Sequence, residues 1–257
     1  MSLSIPAIIG ACAIGLSLGL LGSGGSILTV PVLVYLVGQE EKVAIAGSLF
    51  VVGSISLLGA IPYIRQMLVS WKVVWLFGLP GMMGTYLGAW VSVWLTGVMQ
   101  LAIFALVMMS ASYFMLKPSR DINPKTQEQR HLAKIIIDGL VVGIITGVVG
   151  VGGGFLIVPA LVLLAGLPIH KAIATSLMII ALKSYSGFFK YLDVLEESNK
   201  SLDWEVLWIM ILCGFAGTLV GNKLANKIPQ SRLKQTFGVF LIVMAIYILY
   251  RSLPEIV

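Results

Sequence analysis

The chain has 257 residues, 58% of them hydrophobic and only 11% charged, with a mean hydropathy of +1.01. Soluble domains carry about 25% charged residues, so this composition excludes a soluble globule and indicates an all-α integral membrane protein. The net charge of +6 is not gathered into a basic patch interleaved with aromatics, which argues against nucleic acid and fits the loop lysines and arginines of a membrane protein.

The first predicted segment, 5 to 37, lies in a stretch with no charged side chain and holds "GLLGSGGSILTVP". As one straight helix it would be about 50 Å long against a hydrocarbon core of about 30 Å, so it must break. The glycine cluster is the break, because glycine costs about 1 kcal/mol in a helix interior and its repetition serves a backbone shape. The "IIGAC" stretch resembles a lipoprotein cleavage box, but no basic region precedes it, and we read it as retained structure. Cys12 and Cys213 have no metal or disulfide spacing and are expected as small buried apolar residues.

Plain spans are predicted at 43 to 64, 73 to 95 and 98 to 116, the last two inside 44 consecutive uncharged residues, Val73 to Leu116. A polar, basic linker follows over 117 to 134, reading "KPSRDINPKTQEQRHLAK". A second glycine-interrupted segment occupies 135 to 165 and carries "GVVGVGGGFLIVP"; plain spans follow at 171 to 192, 205 to 222 and 235 to 250.

The two halves match. At an offset of 128 the identities include Gly22/Gly150, Gly24/Gly152, Gly25/Gly153, Pro31/Pro159, Ser48/Ser176, Ser56/Ser184 and Gly59/Gly187. At an offset of 133, "GMMGTYLG" matches "GFAGTLVG", whose small residues share one helix face suited to close packing. We therefore expect one transmembrane domain over 1–257 made of repeat 1–116, cytoplasmic linker 117–134 and repeat 135–257. If each glycine segment crosses once, the repeats are parallel; if each turns back as a hairpin, they are inverted. The hairpin arrangement puts twelve basic residues inside and four outside (Lys42, Lys190, Lys200, Arg251), against ten and six for single crossings, and is favoured.

Irregular backbone at membrane depth must be buried by protein or line a cavity. Two such tips, each followed by a helix start with free N–H groups, form an anion site. Neither tip completes a dinucleotide fingerprint, since Ile27 and Phe155 stand where the third glycine belongs, and no phosphate-loop lysine follows. The two histidines, His131 and His170, lie in or beside loops, which argues against an intramembrane protease and an enzyme generally. Lys183 sits in mid-span, where a charge costs about 2.5 kcal/mol or more, and should face a wet cavity or a counter-charge.

The duplicated "GxxGxGGGxxxVPxL" (Gly147 to Leu161), its first copy "GLLGSGGSILTVPVL", and "HKAIATSLMIIALKSYSG" resemble the sulfite exporter TauE/SafE family over nearly the whole chain. The resemblance implies a multi-pass transporter of a bacterial or archaeal plasma membrane, acting on small sulfur-containing or carboxylate anions. It also implies a departure, because members often have a polar amide where Lys183 stands. The expectation is a secondary transporter moving sulfite, a sulfonate or a related anion by alternating access. Gly24, Gly25, Ser26, Gly152, Gly153 and Gly154 would offer backbone donors, Ser48, Thr175 and Ser176 hydroxyls, and Lys183 charge. Expected partners are the anion and the bilayer, with a coupling ion and a homodimer as further options; no cofactor, metal or nucleic acid is expected. An anion channel and a structural or assembly protein are the alternatives.

Overall fold

The computed structural model describes residues 5–22, 25–116, 132–149, 157–158, 160–161, 165, 167–225, 229, 232, 235, 238–239 and 242–250. The described residues are helical apart from short turns. The helices are α1 (Ile5–Leu21), α2 (Gly25–Pro31), α3 (Glu41–Arg65), α4 (Trp71–Val73), α5 (Leu79–Val91), α6 (Gly97–Leu116), α7 (Leu132–Val149), α8 (Ile169–Glu197) and α9 (Trp204–Ala225). A π-helical turn Val32–Leu36 prolongs α2, and a second, Val74–Gly78, joins α4 to α5. Residues 242–250 are also helical. Among the described residues three helices are long and apolar enough to cross a membrane, Glu41–Arg65, Lys171–Glu197 and Trp204–Leu224, and shorter apolar helices accompany them. Their outer faces carry Trp75, Leu79, Met83 and Trp90 on the α5 side and Trp208 and Leu212 on α9, an apolar surface matched to lipid.

The broken segment reverses. A Cβ on Gly10 would meet Val32 Cγ1 at 2.9 Å, and one on Gly25 would overlap the Ile14 carbonyl, so α2 runs back along α1. Gly22 makes the reversal possible at φ +67, a left-handed conformation that side chains resist.

Three helix contacts organise the remainder. α1 lies against α9 and runs the same way: Gly15 abuts Gly214, and further along Gly19 abuts Gly221, backbone to backbone. α5 lies against α7, also in the same sense, with Phe77 at Gly139, Gly84 at Gly143 and Gly88 at Gly147. Small residues allow this approach, and the gain is dispersion contact over two bare backbones. Thr218 reinforces the first contact by donating from Oγ1 to the Gly15 carbonyl (3.0 Å) or its own Gly214 carbonyl (2.9 Å). α3 and α8 pack in opposite senses, with Leu49 beside Gly187, Gly53 beside Ser184 and Gly59 beside Leu177. Buried clusters fill the spaces between these pairs, one around Ile45, Leu49, Phe104 and Tyr191, another around Ile14, Leu18, Ile55 and Leu207.

Candidate functional site

The site is built where the first glycine tip meets α8. The Gly22 N–H closes the last turn of α1 on the Leu18 carbonyl (2.8 Å), and its carbonyl accepts from Ser176 Oγ (3.1 Å). Ser176 Oγ is also 2.8 Å from the Ile173 carbonyl of its own helix, so one hydroxyl proton serves two acceptors. A Cβ on Gly22 would meet Ile173 Cγ2 at 2.6 Å, which seats the tip directly on α8. The chain resumes as helix at Gly25, with Ser26 fully buried and Thr29 Oγ1 donating to the Gly25 carbonyl (2.9 Å). Gly25 is thus a close-packing position against Ile14 as well as a helix start. Gly24, Gly152, Gly153 and Gly154 lie outside the described residues.

The hydroxyls predicted for the site divide. Ser176 holds the tip, as above. Ser48 is buried on α3 and donates to the Ile45 carbonyl (2.7 Å). Thr175 is buried elsewhere, its Oγ1 accepting from the Ser70 N–H (3.0 Å) in the turn before α4.

Lys183 is fully buried, and its Nζ has no hydrogen-bond partner. Its stem lies along Gly81, where a Cβ would meet Lys183 Cδ at 2.9 Å, and Nζ stands 5.9 Å from the centroid of the Phe77 ring. Phe77 belongs to the π-helical turn Val74–Gly78, an irregularity that recurs at functional positions in helices. Lys183 and Ser176 are separated by two helical turns of α8, about 10 Å along the axis. The lysine therefore lies two turns beyond the tip and touches none of the described tip residues. At an offset of 128 its counterpart is Ile55, which packs on Gly214 as Lys183 packs on Gly81.

Two features were not anticipated. Gln100 Nε2 donates to the Val148 carbonyl (2.7 Å) and to Tyr191 Oη (2.7 Å), while Tyr191 Oη is 3.2 Å from the Gly147 carbonyl. This clamp fixes the end of α7, the helix that leads into the second glycine run. The pairing of Tyr63 with Tyr191 in the repeat was the available signal. Tyr191→Phe should lower stability by about 1–3 kcal/mol, the cost of stranding a buried amide and carbonyl, measurable as a reduced thermal midpoint; an unchanged midpoint would remove the clamp. The cysteines correct an expectation: Cys12 is exposed on α1 and Cys213 is half-buried on α9, the helix packed against it. Sequence spacing cannot reveal a contact between helices from opposite halves.

Apolar helices with lipid-matched outer faces mark a multi-pass membrane protein. The family model described as Sulfite exporter TauE/SafE matches residues 7–248, and the chain belongs to that family. It is 32% identical to a probable membrane transporter protein of Xylella fastidiosa (strain 9a5c), covering 95% of this chain and 94% of the relative. It is 30% identical to the probable membrane transporter protein YunE of Bacillus subtilis, covering 97% and 96%. A probable membrane transporter protein of Methanocaldococcus jannaschii is 25% identical, covering 92% and 93%. No solved structure matches the chain.

Proposed function

We propose that the protein is a secondary transporter that moves a small anion, sulfite, a sulfonate or a related organosulfur or carboxylate anion, by alternating access. The observation that carries this reading is Lys183, a basic side chain fully buried in a membrane helix with no acceptor for its Nζ. An unpaired buried charge is expensive, and a bound anion supplies the missing partner. Backbone N–H groups of Gly24, Gly25, Ser26, Gly152, Gly153 and Gly154 complete the site; Ser48 and Ser176, whose hydroxyl protons go to backbone carbonyls, and Thr175, engaged with Ser70, shape its surroundings. The family's printed name favours sulfite. Titration of the purified protein in lipid nanodiscs with sulfite, sulfate, thiosulfate, sulfoacetate, taurine and oxalate tests the reading. At least one anion should bind saturably, and binding of none would end it.

The machine behind this function is an inverted duplication. Exchanging the halves maps α1 on α7, α3 on α8 and α5 on α9, and so converts the α1–α9 contact into the α7–α5 contact. Opposed α3 and α8 support inversion, because parallel copies would run these two counterparts the same way. The fold-back of α2 on α1 supports a hairpin for the same reason. Met67 and Asn199 both sit in left-handed turns just past α3 and α8. In a variant lacking Cys12 and Cys213, Met67→Cys should label from the cytoplasmic side and Asn199→Cys from the opposite side. Labelling of both from one side would restore parallel repeats.

A further inference from the structure

Buried hydroxyls in apolar helices normally return their proton to a carbonyl one turn back. Thr29, Ser48, Thr85 and Thr146 do so at 2.7–3.0 Å, and Ser112 reaches the Gly238 carbonyl instead. Among the described residues two buried serine hydroxyls have no hydrogen-bond partner, Ser56 Oγ and Ser184 Oγ, and both residues are 0% exposed. These two are counterparts at the offset of 128.

Their placement is central. Ser184 faces α3, since a Cβ on Gly53 would meet Ser184 Cβ at 3.2 Å, and Ser56 lies one turn further along α3, between Gly53 and Gly59, where a Cβ would meet Thr218 of α9 at 2.9 Å and Leu177 of α8 at 4.0 Å. Opposed helices thus carry the two hydroxyls to the same crossing, about 5 Å apart in level. The preceding residue on α8 is Lys183, turned about 100° away towards Gly81 and Phe77, and its Nζ also has no partner. Two hydroxyl donors without an acceptor, with a buried lysine on the same turn of α8, suit a small oxyanion, and the lysine disfavours a metal cation there.

We propose that Ser56 and Ser184 form a symmetry-related pair of hydroxyl donors to the transported oxyanion at the α3–α8 crossing. The proposal rests on the anion-transport reading above and places the anion's path between these two helices. In this structure the crossing is closed, with Gly53 against Ser184. Passage of an anion therefore requires α3 and α8 to part at this level, and the glycine leaves room for the smallest such opening.

Titration of sulfite and sulfate into nanodisc-embedded protein should show roughly tenfold weaker binding for Ser56→Ala and for Ser184→Ala, by similar factors. Ser112→Ala, which also deletes a buried hydroxyl, should bind as the parent does. A second arm uses Ser56→Cys and Ser184→Cys in protein lacking Cys12 and Cys213. Both cysteines should react with the anionic reagent 2-sulfonatoethyl methanethiosulfonate faster than with its trimethylammonium analogue, and sulfate should slow the reaction. Serine variants that bind as the parent does, or cysteines that react with neither reagent, would make the crossing a dry packing contact and overturn the proposal while leaving anion transport intact. Protection by sodium chloride but not by sodium sulfate would overturn it too. A parent protein that binds no anion would instead remove the reading on which the proposal stands.

Discussion

Gly15→Ala and Gly84→Ala should each lower stability by about 3 kcal/mol, the upper end of the usual cost of overpacking. A methyl group on Gly15 overlaps the Gly214 carbonyl, and one on Gly84 overlaps the Leu140 carbonyl. The obstacle in both cases is backbone, which cannot rotate away as a side chain can. The helices must separate, and the dispersion contact along the whole seam weakens. Because α1–α9 and α5–α7 both meet backbone to backbone through glycines, the two losses should be similar. Gly38→Ala provides the contrast: nothing lies within 4 Å of its Cβ, and only the φ of +77 resists, at a cost of about 1 kcal/mol. Thermal unfolding followed by tryptophan fluorescence measures all three. Parent-like midpoints for Gly15→Ala and Gly84→Ala would mean that these seams do not hold the fold.

The helices were legible in the sequence because hydropathy and length constrain them directly. The spans expected at 43 to 64 and 205 to 222 are α3 and α9, each extended at both ends. Glycine content located the break after α1. Which helices pair was not legible. "GMMGTYLG" and "GFAGTLVG" announced close packing, but a small-residue face does not name its partner, and each partner lies in the other half of the chain. Side-chain direction was equally hidden. Thr175 and Ser176 are adjacent in sequence, yet one faces Ser70 and the other Gly22, because one residue turns a helix by about 100°. The chemistry of Ser56 and Ser184 was visible only as a pair of identities. Their unmet hydrogen bonds emerged from the neighbours each helix brings.

Lys183→Met should weaken anion binding by roughly ten- to a hundredfold while the protein remains folded. Methionine fills a similar volume beside Gly81 and Phe77 and removes the charge. A hydrogen bond to a charged group is worth about 1.5–3 kcal/mol, which sets the range. The loss should be greater for sulfate than for a monovalent sulfonate, because Coulomb attraction scales with charge. Lys183→Arg should retain part of the binding, since it keeps the charge but changes its shape and reach. The counterpart position gives an internal comparison: Ile55→Met alters the same level of the fold without touching a charge and should leave affinity within about twofold. Equal affinities for Lys183→Met and the parent, for both mono- and divalent anions, would make the lysine structural and leave the anion to the glycine tips and the serine hydroxyls.

Alternating access by an anion carrier is tested most directly by counterflow in proteoliposomes. Vesicles holding the purified protein are loaded with unlabelled sulfite and diluted into a trace of radiolabelled sulfite. A carrier returns its site faster when loaded than when empty, so internal sulfite should accelerate entry of the label into a transient overshoot, absent in protein-free vesicles and diminished in Lys183→Met. Entry of label that internal sulfite leaves unchanged, together with discrete current steps across a planar bilayer, would contradict the carrier and indicate an open anion pore.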